Sequence, residues 1–424
     1  MRTLLRNIGQ IAGPAASDKA AGEILARLDV RTHTDILIED GIIADFLPEG
    51  TICDADEVVD CRGQVVLPAF VDSHTHIPFA GGRSDEFNRR LQGAGYMEIA
   101  ASGGGINATV RATRETSEDE LYACAAEDLI RLMAHGTATM EMKSGYGLDT
   151  KTELKQLRVI RRLQESFPAD IKATFLGAHE VPPEYRGRTE EYVTLVIEEM
   201  LPAVRQQGIA EYCDIFCEQG VFSIRQSRRI MTRALELGFK LRFHADEIAA
   251  LGGAELAADL GASSADHLVR ISKQGIQKTA ASATVCTLLP GTTFFLLSDD
   301  YAPARDIIEA GGIIALSTDL NPGSSYTHSM QMIITLACLK MGLTIEEAIN
   351  GATINGAYSL GMSEVTGSLH PGKQADVILF DAPSYHYLVY NFGVQRITGL
   401  LKCGRLVYPQ TGDDRRSNYE TPAD

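Results

Sequence analysis

Two histidines one residue apart, His74 and His76 in "VVLPAFVDSHTHIPFAGGR", follow an apolar run that reads as a β-strand. Strand side chains repeat every two residues, so both imidazoles point to one side. Two nitrogens brought to one point suggest a metal site, in a chain with only ten histidines. Two more metal-competent side chains follow apolar runs further along, His244 in "FHADE" and Asp319 in "STDLNPGSS". A catalytic ion takes three protein ligands, or four with a weaker carboxylate, and keeps a position for water. The set His74, His76, His244 and Asp319 meets that count.

Such residues need elements that bring their ends together. Strand-like segments are "QVVLPAFVDSHTH", "GTATMEMKSGYG", "IKATFLGAHE", "EYCDIFCEQG", "FKLRFHADE", "GASSADHL", "ATVCTLLPG" and "GIIALSTDLNPG". Amphipathic helical patterns lie between them, among them "SEDELYACAAEDLIRLMAHG", "TKTELKQLRVIRRLQESFP" and "SIRQSRRIMTRALELG". Ser117 and either Asp149 or Thr150 are suited to N-caps, and Gly136 and Gly238 to C-terminal stops. This alternation predicts right-handed βαβ units around a parallel sheet, and eight strands is the count of a closed barrel. Polar residues fall at the strand ends: His74 and His76, Lys143 and Tyr146, His179 and Glu180, Glu218, His244 and Glu247, His267, Asp319 and Asn321. In a barrel those ends form one rim, where active sites are built. We therefore expect an α/β protein with a (β/α)8 TIM barrel over residues 66–365. The segment "DILIEDGIIADFLPEG" reads as a hairpin turning at Asp40-Gly41, and "GSLHPGKQADVILFDAP" and "LKCGRLVYP" are strand-like. Residues 1–65 and 366–424 are expected to form a smaller β-sandwich-like domain on the barrel, ending in a loose tail, "TGDDRRSNYETPAD".

Composition narrows the chemistry. The 424 residues are 45% hydrophobic and 22% charged, an ordinary globular balance. The formal charge of −17 argues against nucleic acid or an anionic membrane as partner, and an anionic substrate would need a local cation. No apolar run approaches the roughly 20 residues that span a bilayer, and the N-terminus has no signal-peptide pattern. The eight cysteines, Cys53, Cys61, Cys124, Cys213, Cys217, Cys286, Cys338 and Cys403, form no CxxC pair, which suits a reduced, cytoplasmic protein.

The "HTH" after the first strand, histidines after the fifth and sixth (His267 in "SADHL") and the aspartate after the eighth resemble the amidohydrolase superfamily of metal-dependent hydrolases. "HTHIPFAGGR", "SGGGI", "EMKSGYGLDTKTELKQLR", "TFLGAHEVPPEY", "SADHL", "STDLNPGSS" and "ACLKMGLTIEEAINGAT" occur in consistent order, and the resemblance runs from about residue 60 to about residue 400. It implies hydrolysis of the ring amide of 4-imidazolone-5-propanoate to N-formimidoyl-L-glutamate, a step of histidine degradation. It implies Glu247, His267 and Asp319 as candidate acid–base groups, with the choice among them open. By the same resemblance Arg83, Tyr146, His179, Glu247, Asn321, Gly323 and Ser324 contact substrate, with Arg83 pairing the propionate. Gly81 and Gly82 permit the turn that returns Arg83 to the site. Dinuclear members carry a modified lysine after the fourth strand; here that strand ends in "CEQG" with Glu218, and Lys143 follows the second. One ion per chain is therefore expected, zinc or iron, and the resemblance implies a homodimer. His33, His135, His328, His370 and His386 are expected to be structural. The rival readings are an amidohydrolase acting on another cyclic amide or a purine-like ring, and a metal-binding scaffold without turnover.

Overall fold

The computed structural model describes residues 1–93 and 104–409. Ser102 and Gly103 of "SGGGI" and the tail from 411 onward lie outside them.

The chain begins in a four-stranded sheet of order β5-β4-β1-β6, made of β1 (Arg2–Arg6), β4 (Thr34–Glu39), β5 (Ile42–Pro48) and β6 (Glu57–Asp60). The β4–β5 hairpin turns where expected: Asp40 and Gly41 have φ of 48° and 82°, the left-handed pair of a type I′ turn. A second sheet, of order β18-β17-β16-β7-β2-β3, joins the two ends of the chain. It contains β2 (Gln10–Pro14), β3 (Leu28–Arg31) and β7 (Val65–Pro68) from the beginning, and β16 (Val377–Phe380), β17 (Ile397–Lys402) and β18 (Arg405–Tyr408) from the end. Leu5, Ile36 and Ile38 of the first sheet share a buried cluster with Ile11, Val66, Val377 and Leu401 of the second. Two sheets packed over one apolar layer are a sandwich.

Eight parallel strands follow: β8 (Phe70–Asp72), β9 (Thr137–Lys143), β10 (Asp170–Ala178), β11 (Tyr212–Cys217), β12 (Lys240–Ala245), β13 (Ser264–His267), β14 (Val285–Leu288) and β15 (Ile314–Leu316). They pair in sequence order. The seam between first and last is closed by the stretch carrying the candidate ligands: Thr75 bridges Leu320, Asp319 N–H donates to His74 O (3.0 Å) and His76 N–H donates to Leu320 O (3.0 Å). Ser317 and Thr318 hydroxyls donate to the buried Asp72 carboxylate across the same seam.

The structure divides "QVVLPAFVDSHTH", expected as one strand, between two sheets. Val65–Pro68 pairs with β16 and β2 in the sandwich, and only Phe70–Asp72 enters the barrel. Pro68 brings no N–H to a ladder, and at Ala69 the backbone turns its donor to Asp376 O before Phe70 N–H finds Gly136 O (both 2.9 Å). The three helices begin as their caps require. Ser117 forms a full capping box with Glu120, Asp149 rather than Thr150 caps Thr150–Ser166, and Ser223 caps Ile224–Glu236 with Gln226. Gly136 and Gly238 follow with φ of 86° and 84°.

Candidate metal centre and its rim

His74, His76, His244 and Asp319 converge at the C-terminal mouth of the barrel, all buried. The three Nε2 atoms form a near-equilateral triangle: His74 to His76 3.3 Å, His74 to His244 3.1 Å and His244 to His76 3.2 Å. Asp319 Oδ1 lies 3.1 Å from His76 Nε2 and 3.5 Å from His74 Nε2. The far side of His74 is spoken for, since its Nδ1–H donates to Asp266 Oδ2 (2.7 Å). That leaves the Nε2 lone pair aimed inward. His244 is arranged alike, with Nδ1 3.1 Å from Asp214 Oδ2.

Burial, reinforced by Lys143, holds His74 well below the usual imidazole range. Burial also takes His76 down to about 4 against the pull of Asp319. Burial opposes the charge of His244 too, but Asp214 outweighs it and the imidazole is raised. A single proton can serve one of the three nitrogen–nitrogen contacts; a cation between them serves all three. A tetrahedron with Zn–N bonds of about 2.0–2.1 Å has edges of about 3.3–3.4 Å, close to the triangle seen here. The donor set fits a first-row metal ion. Two further histidines reach the cluster, His267 with His74 and His244, and His179 with His76 and His244.

Glu247 and His267 flank it, with His267 Nδ1 3.6 Å from Glu247 Oε1. Burial raises the Glu247 carboxyl. Neighbours in a strand face opposite ways, yet Asp266 and His267 both face His74. A φ of 73° at His267 turns its side chain back, and Asp319 and Asp246 also sit at positive φ, 52° and 51°. Strain of this kind persists where the surroundings over-determine it, and it gathers at functional sites.

At the rim, Arg83 precedes the helix Ser84–Leu91, and Glu86 Oε2 accepts from its Nε (2.9 Å) and pairs with its Nη2 (2.8 Å). Gly323 admits the guanidinium: a Cβ there would lie 2.0 Å from Arg83 Nη1. Asn321 spends its side chain on its own turn, with Oδ1 accepting from Gly323 N–H and Ser324 N–H (2.9 and 2.8 Å) and Nδ2 donating to Asp319 O (2.7 Å). His179 stacks on His76 at 5.0 Å, and its Nδ1–H donates to Gly145 O (3.0 Å). The Tyr146 ring lies 5.3 Å from that of His179, and burial keeps its phenol protonated. Gln156 accepts from Tyr146 N–H and donates to Pro78 O, linking the tyrosine turn to the loop beyond His76.

Several functional side chains were missed in the sequence. Glu218, noted only as a strand end, accepts from Glu247, Ile248 and Ala249 N–H (3.0, 2.9 and 3.2 Å), and so fixes the loop that carries Glu247. Thr292 donates to Asp319 Oδ2 (2.5 Å). Lys143, placed at the rim by its position in the sequence, is instead fully buried, with Nζ 2.6 Å from Glu141 Oε2 and 2.8 Å from Asp214 Oδ2. Arg242 Nε lies 3.0 Å from Glu141 Oε1. Burial opposes the Lys143 ammonium, and the two carboxylates outweigh it. A period-two signal was present in "EMK" and "RFH", which put Glu141 with Lys143 and Arg242 with His244 on single strand faces. Among the other histidines, His135 ends the helix Glu118–Ala134, His33 pairs with Glu49 and His328 with Asp128.

The amidohydrolase family model matches residues 65–407. An imidazolonepropionase of Clostridium tetani is 46% identical over 96% of this chain and 98% of its own, and one of Porphyromonas gingivalis strain W83 is 48% identical over the same shares. The chain belongs to the imidazolonepropionase family of amidohydrolases. Membership makes it a hydrolase of a metal-dependent superfamily. Among solved structures, a 5-methylcytosine deaminase of Klebsiella pneumoniae superposes with a TM-score of 0.72 at 15% identity, covering 97% of this chain and 98% of that one. A zinc-bound adenosine deaminase of Xanthomonas campestris gives 0.70 at 16%, covering 95% and 92%. At such identities these two share the barrel fold with the imidazolonepropionase family.

Proposed function

We propose that this chain adds water across the ring amide of 4-imidazolone-5-propanoate, breaking the C–N bond to give N-formimidoyl-L-glutamate in histidine degradation. The reading is carried by the triangle of Nε2 atoms beside Asp319, in a chain of this family. His74, His76, His244 and Asp319 would hold one ion per chain, zinc or iron, since imidazole and carboxylate ligands suit either. When bound, such an ion supplies Lewis acidity toward water and the ring carbonyl.

The remaining work falls to the protein. Arg83 pairs the propionate, and the pull of its charge on the nearby Tyr146 phenol supports a shared role for the two. Tyr146 and the His179 Nε2 edge hold the planar ring, helped by the turn of Asn321, Gly323 and Ser324. Glu247 takes the proton of the attacking water and His267 delivers one to the departing ring nitrogen. Asp319 is the poorer acceptor of the three, because Thr292 already donates to its Oδ2. We further propose a homodimer that works in a reducing, cytoplasmic setting. All eight cysteines are unpaired and no described helix is long and apolar enough to cross a membrane.

The test is hydrolysis of freshly prepared 4-imidazolone-5-propanoate, with the product identified by mass. N-formimidoyl-L-glutamate is expected; turnover of a purine-like ring with this substrate untouched would overturn the assignment.

A further inference from the structure

The candidate ligands His74 and His244 rest on one buried chain of charges that no step above uses. His244 Nδ1 faces Asp214, which pairs with Lys143 (2.8 Å); Lys143 pairs with Glu141 (2.6 Å). From Glu141 the chain continues to Arg242 (3.0 Å) and on to Asp266 (3.8 Å), which holds His74. Every one of these groups except His244 is entirely shielded from solvent, and His244 is 3% exposed. Glu141 lies at the centre and touches both cations, with Thr174 donating to it from the neighbouring strand.

The two arms differ in one respect. Asp266 belongs to the arm of Arg242, which is also tied to backbone by donating to Ser73 O (2.7 Å) and Ser359 O (3.2 Å). Apart from His244, Asp214 has Lys143 as its one ion-pair partner among the described residues, with Oδ1 accepting from Ile215 N–H (2.7 Å). A buried carboxylate deprived of its cation is strongly unfavourable and moves or neutralises. Either response releases the imidazole whose Nδ1 it faces. We propose that Lys143 is a positioning residue of the metal centre: its ammonium fixes Asp214, and Asp214 fixes the ring of His244 so that Nε2 meets the ion.

This rests on the metal reading above and is independent of the substrate. The experiment compares zinc dissociation constants of wild type and Lys143→Met, by competition with a chromophoric chelator, alongside far-UV circular dichroism and thermal melts of the metal-free proteins. Groups that orient a metal-bound histidine typically change affinity by about 10- to 100-fold, and a loss of that size is expected in a folded variant. A lower melting temperature with zinc affinity within about twofold of wild type would reduce Lys143 to a structural role and overturn the proposal. Asp214→Asn removes the ion pair from its other side and keeps the test open if Lys143→Met does not fold; unchanged affinity there overturns the route as well. If the route runs through Asp214, adding Lys143→Met to Asp214→Asn costs little more affinity, whereas full additivity contradicts it. A wild-type protein that binds no zinc or iron would remove the metal reading itself, an outcome distinct from any of these.

Discussion

The floor of the site and its rim are held in place by different means. Under the histidines, charged side chains on β9, β11, β12 and β13 brace one another from strand to strand, wholly out of water. Around the mouth, side chains are spent on loop backbone: Asn321 on Gly323 and Ser324, Glu218 on residues 247–249, and Gln156 of the helix Thr150–Ser166 on Tyr146 and Pro78. Paired charges on rigid strands suit the proposed metal centre, whose donors must keep fixed distances. Loops folded on their own amides can change sequence, and so substrate, while the floor is untouched.

The division can be broken from either side. Asp266→Ala removes the partner of His74 Nδ1 and should weaken metal binding by up to about 100-fold, read by chelator competition; an unchanged dissociation constant would show that the floor does not orient His74. At the rim, Arg83→Ala should raise KM by about 10- to 100-fold through lost charge-assisted hydrogen bonds, with metal content intact. Gly323→Ala should move KM in the same direction and by less, because its Cβ would displace a guanidinium that is still present. A loss of metal in either rim variant would merge the two regions into one. The smallest change is expected from Glu218→Gln, which weakens the hold on the Glu247 loop by about 1 kcal/mol. It should lower kcat about fivefold and leave zinc affinity unaltered.

The floor and the rim were not equally legible in the sequence. The eight strands, the two-residue spacing of "HTH" and the histidine and aspartate after later strands follow from local pattern, and these residues do converge. The brace was hidden for a physical reason. Asp214 sits in "CDIFC", where the cysteines draw attention, and Asp266 stands next to His267, so strict alternation would send them to opposite faces. Only the positive φ of His267 brings both to the same side. Lys143 reads as a rim cation because it ends its strand; Glu141 stands two residues before it, but its other partner, Asp214, comes from a strand distant in sequence. The break at Pro68 was equally unreadable, since both halves of "QVVLPAFVD" are apolar strand and only pairing to β16 or to β9 separates them. At the rim, Asn321 was legible as polar and near the site, but its commitment to its own turn depends on the loop geometry.

The most direct measurement is a titration of metal-free protein with zinc or iron(II) while hydrolysis of 4-imidazolone-5-propanoate is followed. Turnover should be absent at the start, rise with added metal and break at one equivalent per chain. Full turnover by protein shown to contain no metal, or a rise that continues to two equivalents, would contradict a single ion held by His74, His76, His244 and Asp319.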